Sequence, residues 1–198
     1  PGCHSVSLGI WVNNGSRHEP VALNGISHFL EHMLFKGTQR RTAQSVAREV
    51  DSVGGLINGF TSREISCYFI KILAEKLPMA VDLLGDMICH SRFNPEDIEK
   101  ERRVILQEIA MIDDSPEDLV HDQFTHAFWA GHPLGMPVIG TRSTVESVDR
   151  QAMLSFMADR YVGDNLCIVA AGSVNHAELV DLVWKALREI PVSGVKQD

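Results

Sequence analysis

Apolar residues recur along the chain with two different periods. Alternation of apolar with small or polar residues predicts a first β-strand over Ser5–Val12. Two further strands are predicted at Leu56–Phe60 and Ser66–Leu73, on either side of the turn-like "TSRE", and a buried strand is predicted at "NLCIVAAG". Apolar residues at helical spacing predict helices over residues 23–35, 42–53, 78–89, 95–113, 116–128, 149–161 and 175–189.

The order of these elements indicates the fold class. Strands come singly or in a pair between the helices, without a regular strand–helix–strand alternation. This order predicts an α+β fold, in which helices pack on a mainly antiparallel, twisted sheet. Residues 129–143 are rich in Gly and Pro and are predicted to form a long loop.

Local signals predict where two of the helices begin. Thr42 is a suitable N-cap for the second helix, which is expected to stop at the Gly-Gly pair of residues 54–55. For the fourth helix, Asn94 can act as the N-cap and Pro95 fits the first helical position.

Composition narrows the class of protein. The chain has 198 residues, of which 44% are hydrophobic, so we expect a single domain over residues 1–198 with a substantial core. Its net charge is −8 and no run of Lys or Arg exceeds a pair, which argues against binding to nucleic acid or to anionic membrane surfaces. The charge is compatible with basic substrates.

The ends of the chain predict a piece of a longer protein. No apolar run is long enough to span a membrane, and "PGCHSVSLGIWV" does not resemble a signal or transit peptide. The final "PVSGVKQD" is typical of a linker.

The four cysteines form no CxxC pair, and two of them, Cys67 and Cys167, lie in apolar strand-like runs. We therefore expect reduced, mostly buried cysteines in a cytosol-like compartment.

The first predicted helix contains the motif "HFLEH". At about 100° per residue, His32 lies about 40° from His28 and Glu31 lies about 60° on the other side of it. The apolar residues occupy the opposite face of this helix. A solvated polar face is one interpretation, although such a face usually carries Lys or Arg, and this one carries neither.

The alternative interpretation is a metal site. Neutral imidazoles at positions i and i+4 can bind one Zn²⁺ from a single helix, and a carboxylate beside them can accept a proton from water. The order HxxEH is that of the inverzincins. Such a site needs a third protein ligand from another part of the chain.

The helix predicted at residues 95–113 offers two candidate carboxylates. Glu101 and Glu108 are seven residues apart and both border the apolar stripe of this helix. A carboxylate beside a buried stripe needs a partner, because burying it alone is costly. A metal ion is one such partner, and a salt bridge to Lys or Arg is the other.

Three segments carry a resemblance to a known family. "GISHFLEHMLFKGT", "VGGLINGFTSRE" and "EKERRVILQEI" resemble the active domain of the pitrilysin/insulinase zinc peptidases, most closely the bacterial processing-type proteases and the β-subunit of mitochondrial processing peptidase. The likeness extends through "HPLGMPVIGT" and "NLCIVAAGSVNHAELV". It implies one zinc ion bound by His28, His32 and Glu108, with Glu31 as general base and Glu101 as a supporting carboxylate.

The resemblance also implies how a substrate would bind. An edge strand at "INGFTS" would take an extended peptide as an additional strand, with Asn58, Gly59, Phe60 and Phe35 as the substrate-binding residues. Gly59 departs from the alanine that is usual at this position. The family further implies a second, similar domain that closes over the first like a clamshell and supplies an Arg/Tyr pair. The family's leading strand is not expected in this chain, and the isolated domain is expected to cleave weakly or not at all.

These inferences lead to a zinc endopeptidase that hydrolyses peptides or presequence-like segments. One alternative is a core or partner subunit of the same fold that does not cleave, and another is a different HxxEH metalloenzyme such as an S-ribosylhomocysteine lyase, which would need a cysteine ligand. The expected partners are a peptide or unfolded polypeptide, a second homologous domain or subunit, and a homo-oligomer as an option. The expected location is the bacterial cytoplasm, with the mitochondrial matrix and the periplasm as alternatives.

Overall fold

A four-stranded antiparallel sheet forms the centre of the computed structural model, which describes residues 2–193. Within this range the strands are β1 (Ser5–Val12), β2 (Leu56–Thr61), β3 (Ser66–Leu73) and β4 (Leu166–Gly172). Their spatial order is β2-β3-β1-β4, and every neighbouring pair is antiparallel. The predicted α+β class with an antiparallel sheet is therefore confirmed.

Eight α-helices accompany the sheet within the described residues. They are α1 (Ile26–Leu34), α2 (Ala43–Asp51), α3 (Leu77–His90), α4 (Pro95–Asp113), α5 (Pro116–Phe128), α6 (Arg142–Ser147), α7 (Arg150–Arg160) and α8 (His176–Ala186). Every predicted helix is present. The short helix α6 was not predicted, because it begins inside the expected loop at a Thr141 cap that accepts a hydrogen bond from the Thr144 N–H.

The helices cover one face of the sheet and form the core with it. Alternate residues of β1 are buried on that face, where Leu8 and Ile10 lie beside Val81 and Leu84 of α3. The strand β4 lies at an edge of the sheet, and its side chains alternate between half-buried and exposed, with Val169 47% exposed. The prediction that this strand is buried is therefore wrong, because it has a neighbouring strand on one side only among the described residues.

One predicted helix start and one predicted N-cap need correction. The first helix begins at Ile26 and not at residue 23, because Val21–Leu23 forms a 3-10 turn and Gly25 has a left-handed backbone with φ 94°. Thr42 caps α2 as predicted, accepting a hydrogen bond from the Ser45 N–H at 3.1 Å. Asn94 occupies the N-cap position of α4 but does not cap it.

A buried carboxylate on α3 holds the segment that follows α1. The side chain of Asp86 accepts hydrogen bonds from Thr38 Oγ1 at 2.7 Å, Arg40 Nε at 3.0 Å and Arg41 Nη1 at 2.8 Å. Although burial alone would raise it, these hydrogen bonds lower the pKa of Asp86. The chain that leaves α1 is thereby attached to the core helix α3.

The four cysteines are free, and their burial differs from the prediction. Cys67 is buried and Cys89 is half-buried, whereas Cys3 and Cys167 are exposed. The expectation of mostly buried cysteines is therefore wrong. Cys167 is exposed because it lies on the open face of the edge strand β4. Within residues 2–193, none of the helices combines the length and the hydropathy needed to cross a bilayer.

Candidate metal centre

The helix α1 presents its histidines and Glu31 on the side away from the core. Its buried residues are Ile26, Ser27, Phe29, Leu30, Met33 and Leu34. The packing of this apolar face fixes the rotation of the helix, and the opposite face carries half-buried His28, Glu31 and His32. The predicted division of the helix into two faces is what the structure contains.

Three side chains from α1 and α4 converge on one point. Nε2 of His28 lies 3.9 Å and Nε2 of His32 lies 3.7 Å from Oε2 of Glu108. The three ligand atoms all lie within 4.8 Å of one another. Ligand atoms of a tetrahedral zinc site lie about 3.4 Å apart, given bonds of about 2.0–2.1 Å. The donor set and its spacing therefore fit Zn²⁺ with a small contraction.

His28 is held in the state that binds metal. Burial, together with the neighbouring His32, lowers its pKa from 6.5 to about 4. The two rings meet edge to face, with their centroids 4.7 Å apart. His28 is therefore neutral at neutral pH, so a nitrogen lone pair is available to a metal ion without displacing a proton.

His32 is oriented by the second glutamate of α4. Its Nδ1 lies 3.1 Å from Oε2 of Glu101, which is only 8% exposed. Glu101 Oε1 also lies 2.6 Å from Nζ of Lys36. The carboxylate thus has both a histidine and a lysine partner, which accounts for its position beside the apolar stripe. A hydrogen bond from Nδ1–H to a carboxylate leaves Nε2 free to bind metal.

Glu31 lies beside the three converging atoms and is not one of them. Burial raises its pKa; the Thr61 hydroxyl and His32 lower it in part, while Glu108 raises it. A carboxylate whose pKa lies above the usual range is a better proton carrier near neutral pH. Its position and environment are those of a candidate general base.

The strand β2 passes directly over this site. It is an edge strand, paired only with β3 among the described residues. An added Cβ on Gly59 would lie 3.3 Å from Cγ of Glu31 and 3.2 Å from Cε2 of Phe35, so Gly59 faces both of these side chains. Phe60 points to the opposite face, where it contacts Trp11 edge to face with a centroid distance of 5.6 Å.

The side chain of Asn58 forms a hydrogen bond with a backbone amide of the same strand. Its Oδ1 accepts a hydrogen bond from the Gly59 N–H at 2.9 Å. Asn58, like Phe60, is exposed and lies on the face of β2 that does not meet α1. Three of the four predicted substrate-binding residues therefore lie on β2, and the fourth, Phe35, lies beside Gly59.

A large cavity lies elsewhere in the described part of the chain. It has a volume of about 690 Å³ and opens between β4 and α8, where Ile168, Val183 and Trp184 contribute to an apolar wall. None of the predicted site residues lines it. The candidate site is therefore recognised from the convergence of side chains, and not from this cavity.

Sequence reasoning missed three residues around the site. Lys36 follows His32 by four positions, so helical spacing alone could have placed it near the same partners. Thr61 lies two residues after Gly59 on β2 and could have been found from the alternation of the strand. Glu19 had no signal in the sequence, because its partners are backbone groups of α1.

Two family models match this chain. The model of a family described as "Insulinase (Peptidase family M16)" matches residues 1–142, and one described as "Peptidase M16 inactive domain" matches residues 147–198. The four candidate residues of the metal centre all lie in the first of these ranges. The part of the chain that contains the candidate site therefore lies within the match to the peptidase family.

Three similar proteins illustrate the relationship. The uncharacterized zinc protease YmxG of Bacillus subtilis is 42% identical, with 92% of this chain aligned to 44% of that protein. The mitochondrial-processing peptidase subunit beta of Dictyostelium discoideum is 42% identical, with coverages of 97% and 41%. The crystal structure of a protease from Helicobacter pylori superposes with a TM-score of 0.92 at 25% identity, covering 98% of this chain and 47% of that one.

This chain spans less than half the length of the curated relatives that it matches. Both curated relatives align with almost the whole of this chain. One is named a zinc protease and the other a subunit of a processing peptidase. Together with the family match over residues 1–142, these alignments identify the family. The chain belongs to the insulinase family of peptidases, family M16.

Proposed function

We propose that this chain is the zinc-binding, catalytic part of an endopeptidase that hydrolyses peptides or presequence-like segments. The observation that carries the proposal is the convergence of His28 Nε2, His32 Nε2 and Glu108 Oε2. These residues would hold one Zn²⁺. The names of the curated relatives as zinc proteases support the choice of metal.

The chemistry divides between the metal and Glu31. A bound Zn²⁺ would polarise the scissile carbonyl and lower the pKa of water. Glu31 accepts the proton of the attacking water and passes it to the amine of the leaving peptide. The raised pKa of Glu31, which follows from its burial, suits a group that must both accept and release a proton.

Peptide binding follows from the edge position of β2. An extended peptide can pair with the free side of this strand through backbone hydrogen bonds, largely regardless of its sequence. Because Gly59 lies against Glu31, a peptide paired there runs across the metal centre. Asn58 has to turn away from the Gly59 N–H if that amide is to pair with substrate.

The complete enzyme is proposed to include a second homologous domain or a partner subunit. This chain spans less than half the length of its relatives, which supports this part of the proposal. The second half would close over β2, exclude water from the site and supply further contacts to the substrate carbonyl. The bacterial relative supports a location in a bacterial cytoplasm.

Two other functions are less well supported. The match of residues 147–198 to the inactive-domain model favours a subunit that does not cleave, but His28, Glu31, His32 and Glu108 all lie outside that range. A lyase of the HxxEH type needs a cysteine as third ligand. Among residues 2–193, the group of side chains able to hold a metal contains Glu108 and no cysteine.

The test of the proposed function is the zinc content of single variants. His28→Ala, His32→Ala and Glu108→Gln are each expected to lose most of the bound zinc, because each removes one of three protein ligands. His121→Ala is the matched control, since His121 is exposed on α5 and is expected to keep full zinc content. Unchanged zinc in all three ligand variants would refute the proposal.

A further inference from the structure

A buried carboxylate outside the metal centre holds the first turn of α1. Glu19 is only 6% exposed and has no role in the proposed chemistry. Its Oε2 accepts hydrogen bonds from the Gly25 N–H at 2.7 Å and from Asn24 Nδ2 at 2.9 Å. Its Oε1 accepts one from the Ser27 N–H at 2.8 Å. Three donors at the start of one helix thus share a single side chain.

This helix needs an external acceptor. Its N-cap residue is Gly25, which has no side chain to accept hydrogen bonds from the first turn. The first N–H groups of a helix have no partner within the helix, and they attract negative charge. Glu19, six residues before Gly25, supplies both the acceptor oxygens and the charge.

The opposite side of the same turn is closed by backbone. A Cβ on Gly25 would lie 2.6 Å from the carbonyl oxygen of Ile139 and 2.8 Å from Cα of Gly140. Asn24 Nδ2 also donates to the carbonyl oxygen of Pro137 at 3.0 Å. The start of α1 is therefore held between Glu19 and the segment of residues 137–140.

The fixed turn leads directly into the metal centre. Ser27 is fully buried, and its Oγ accepts a hydrogen bond from Asn14 Nδ2 at 3.0 Å. The next residue is His28, which lies in the first turn, where helices most readily fray. The direction of the His28 side chain therefore depends on the backbone that Glu19 holds in place.

We propose that Glu19 is a positioning residue for metal binding, which acts on His28 by fixing the first turn of α1. The inference rests on the proposed metal site at His28, His32 and Glu108. It assigns to Glu19 a role separate from that of Glu101, because Glu101 contacts the ring of His32 whereas Glu19 accepts hydrogen bonds from Asn24, Gly25 and Ser27 at the other end of the helix.

The test compares Glu19→Gln with the parent chain, using Co²⁺ alone as the probe. Visible absorption of bound Co²⁺ reports the geometry of its ligands, and circular dichroism reports folding. The Gln side chain retains one acceptor oxygen but points an N–H₂ group at an N–H donor. We expect Co²⁺ affinity to fall by at least about tenfold, as for other residues that orient ligands, with a changed absorption spectrum.

Asp149→Ala is the matched control for a general loss of stability. Asp149 caps α7 by accepting a hydrogen bond from the Ala152 N–H at 2.7 Å, and it is not part of the metal centre. This variant is expected to retain the Co²⁺ affinity and spectrum of the parent. An equal loss of affinity in Asp149→Ala and Glu19→Gln would overturn the inference, since the effect would then follow from stability alone.

The remaining outcomes are also decisive. A folded Glu19→Gln variant with the affinity and spectrum of the parent would overturn the inference and leave the metal site intact. The variant could also be unfolded without metal. If it then gives the parent spectrum at the Co²⁺ concentration that produces this spectrum in the parent chain, the inference is overturned as well. A parent chain that binds no Co²⁺ would remove the proposed metal site, and this inference with it.

Discussion

The carboxylate of Glu101 lies 3.1 Å from Nδ1 of His32, whereas the other ring nitrogen, Nε2, lies 3.7 Å from Glu108. Two residues of α4 therefore contact the same ring of α1. Glu101 lies at Nδ1 of His32, and Glu108 lies at Nε2. Lys36 closes the arrangement from the chain just after α1, with its Nζ 2.6 Å from the same carboxylate. The ring of His32 is therefore held in place without a metal ion.

Glu101→Gln is expected to weaken zinc binding by about tenfold to a hundredfold, because the amide can still accept a hydrogen bond but no longer carries the charge that orients the imidazole. Zinc affinity measured by competition with a chelator checks this. Lys36→Met serves as the comparison, since it removes the lysine partner of Glu101 and leaves the contact between Glu101 and His32 unchanged. Equal zinc affinity in Glu101→Gln and the parent would count against an orienting role for Glu101.

Glu31→Gln is expected to keep zinc and lose hydrolysis. The variant preserves the shape of the side chain but cannot accept a proton, so peptide cleavage by the full-length protein should fall by at least about a hundredfold. Zinc content and the cleavage rate of a fluorogenic peptide are measured on the same preparation. Retention of the parental rate would exclude Glu31 as the base.

The stability of the metal-free chain is expected to depend on pH through His28. Its pKa is about 4 in the folded state, against 6.5 when unfolded, so between these values only the unfolded chain takes up the proton. Stability should therefore fall as pH is lowered from 6.5 to about 4, by up to about 3 kcal/mol, and show no further loss from this group below that.

Urea unfolding at pH 7 and pH 4.5 in the presence of a chelator checks this dependence. The difference between the two values should be smaller in His28→Gln than in the parent, because the variant has no proton to gain at this position. An identical pH dependence in the two proteins would mean that His28 is not buried in its neutral form.

Position 59 is expected to tolerate one added carbon and no more. In Gly59→Ala, the new Cβ meets the side chains of Glu31 and Phe35 at 3.3 and 3.2 Å and the backbone oxygen of Cys67 at 3.3 Å, so these two side chains and the paired strand β3 each have to shift by a few tenths of an ångström at most. The loss of glycine from a strand favours folding, so stability should rise by about 0.5 kcal/mol. Gly59→Leu should displace Glu31 and lower cleavage while leaving zinc bound. Urea unfolding and zinc content test both variants.

Much of the fold follows from local patterns. The two faces of α1 and the shared face of Glu101 and Glu108 depend only on helical spacing, which is a property of consecutive residues. Whether α1 and α4 meet is a different question, since 75 residues separate His32 from Glu108. Their meeting depends on tertiary packing, and the sequence indicated it only through resemblance to a family.

The features that sequence reasoning missed depend on partners that are distant or are backbone. Glu19 precedes the helix that it holds, and nothing in its own neighbourhood distinguishes it from an exposed glutamate. The start of α1 was placed too early because Leu23 fits the apolar spacing, whereas Gly25 turns the backbone out of the helix. Cys167 was expected to be buried because its strand is apolar, but it lies on the exposed face of β4.

The alternation of side chains along β2 has a consequence for where a bound peptide could be cut. A peptide paired with this edge presents successive residues to opposite faces, only one of which is the face of Glu31 and Gly59. A shift of the peptide by one residue reverses the two faces, whereas a shift by two restores them. Secondary cuts in a slipping substrate should therefore be separated from the main cut by an even number of residues.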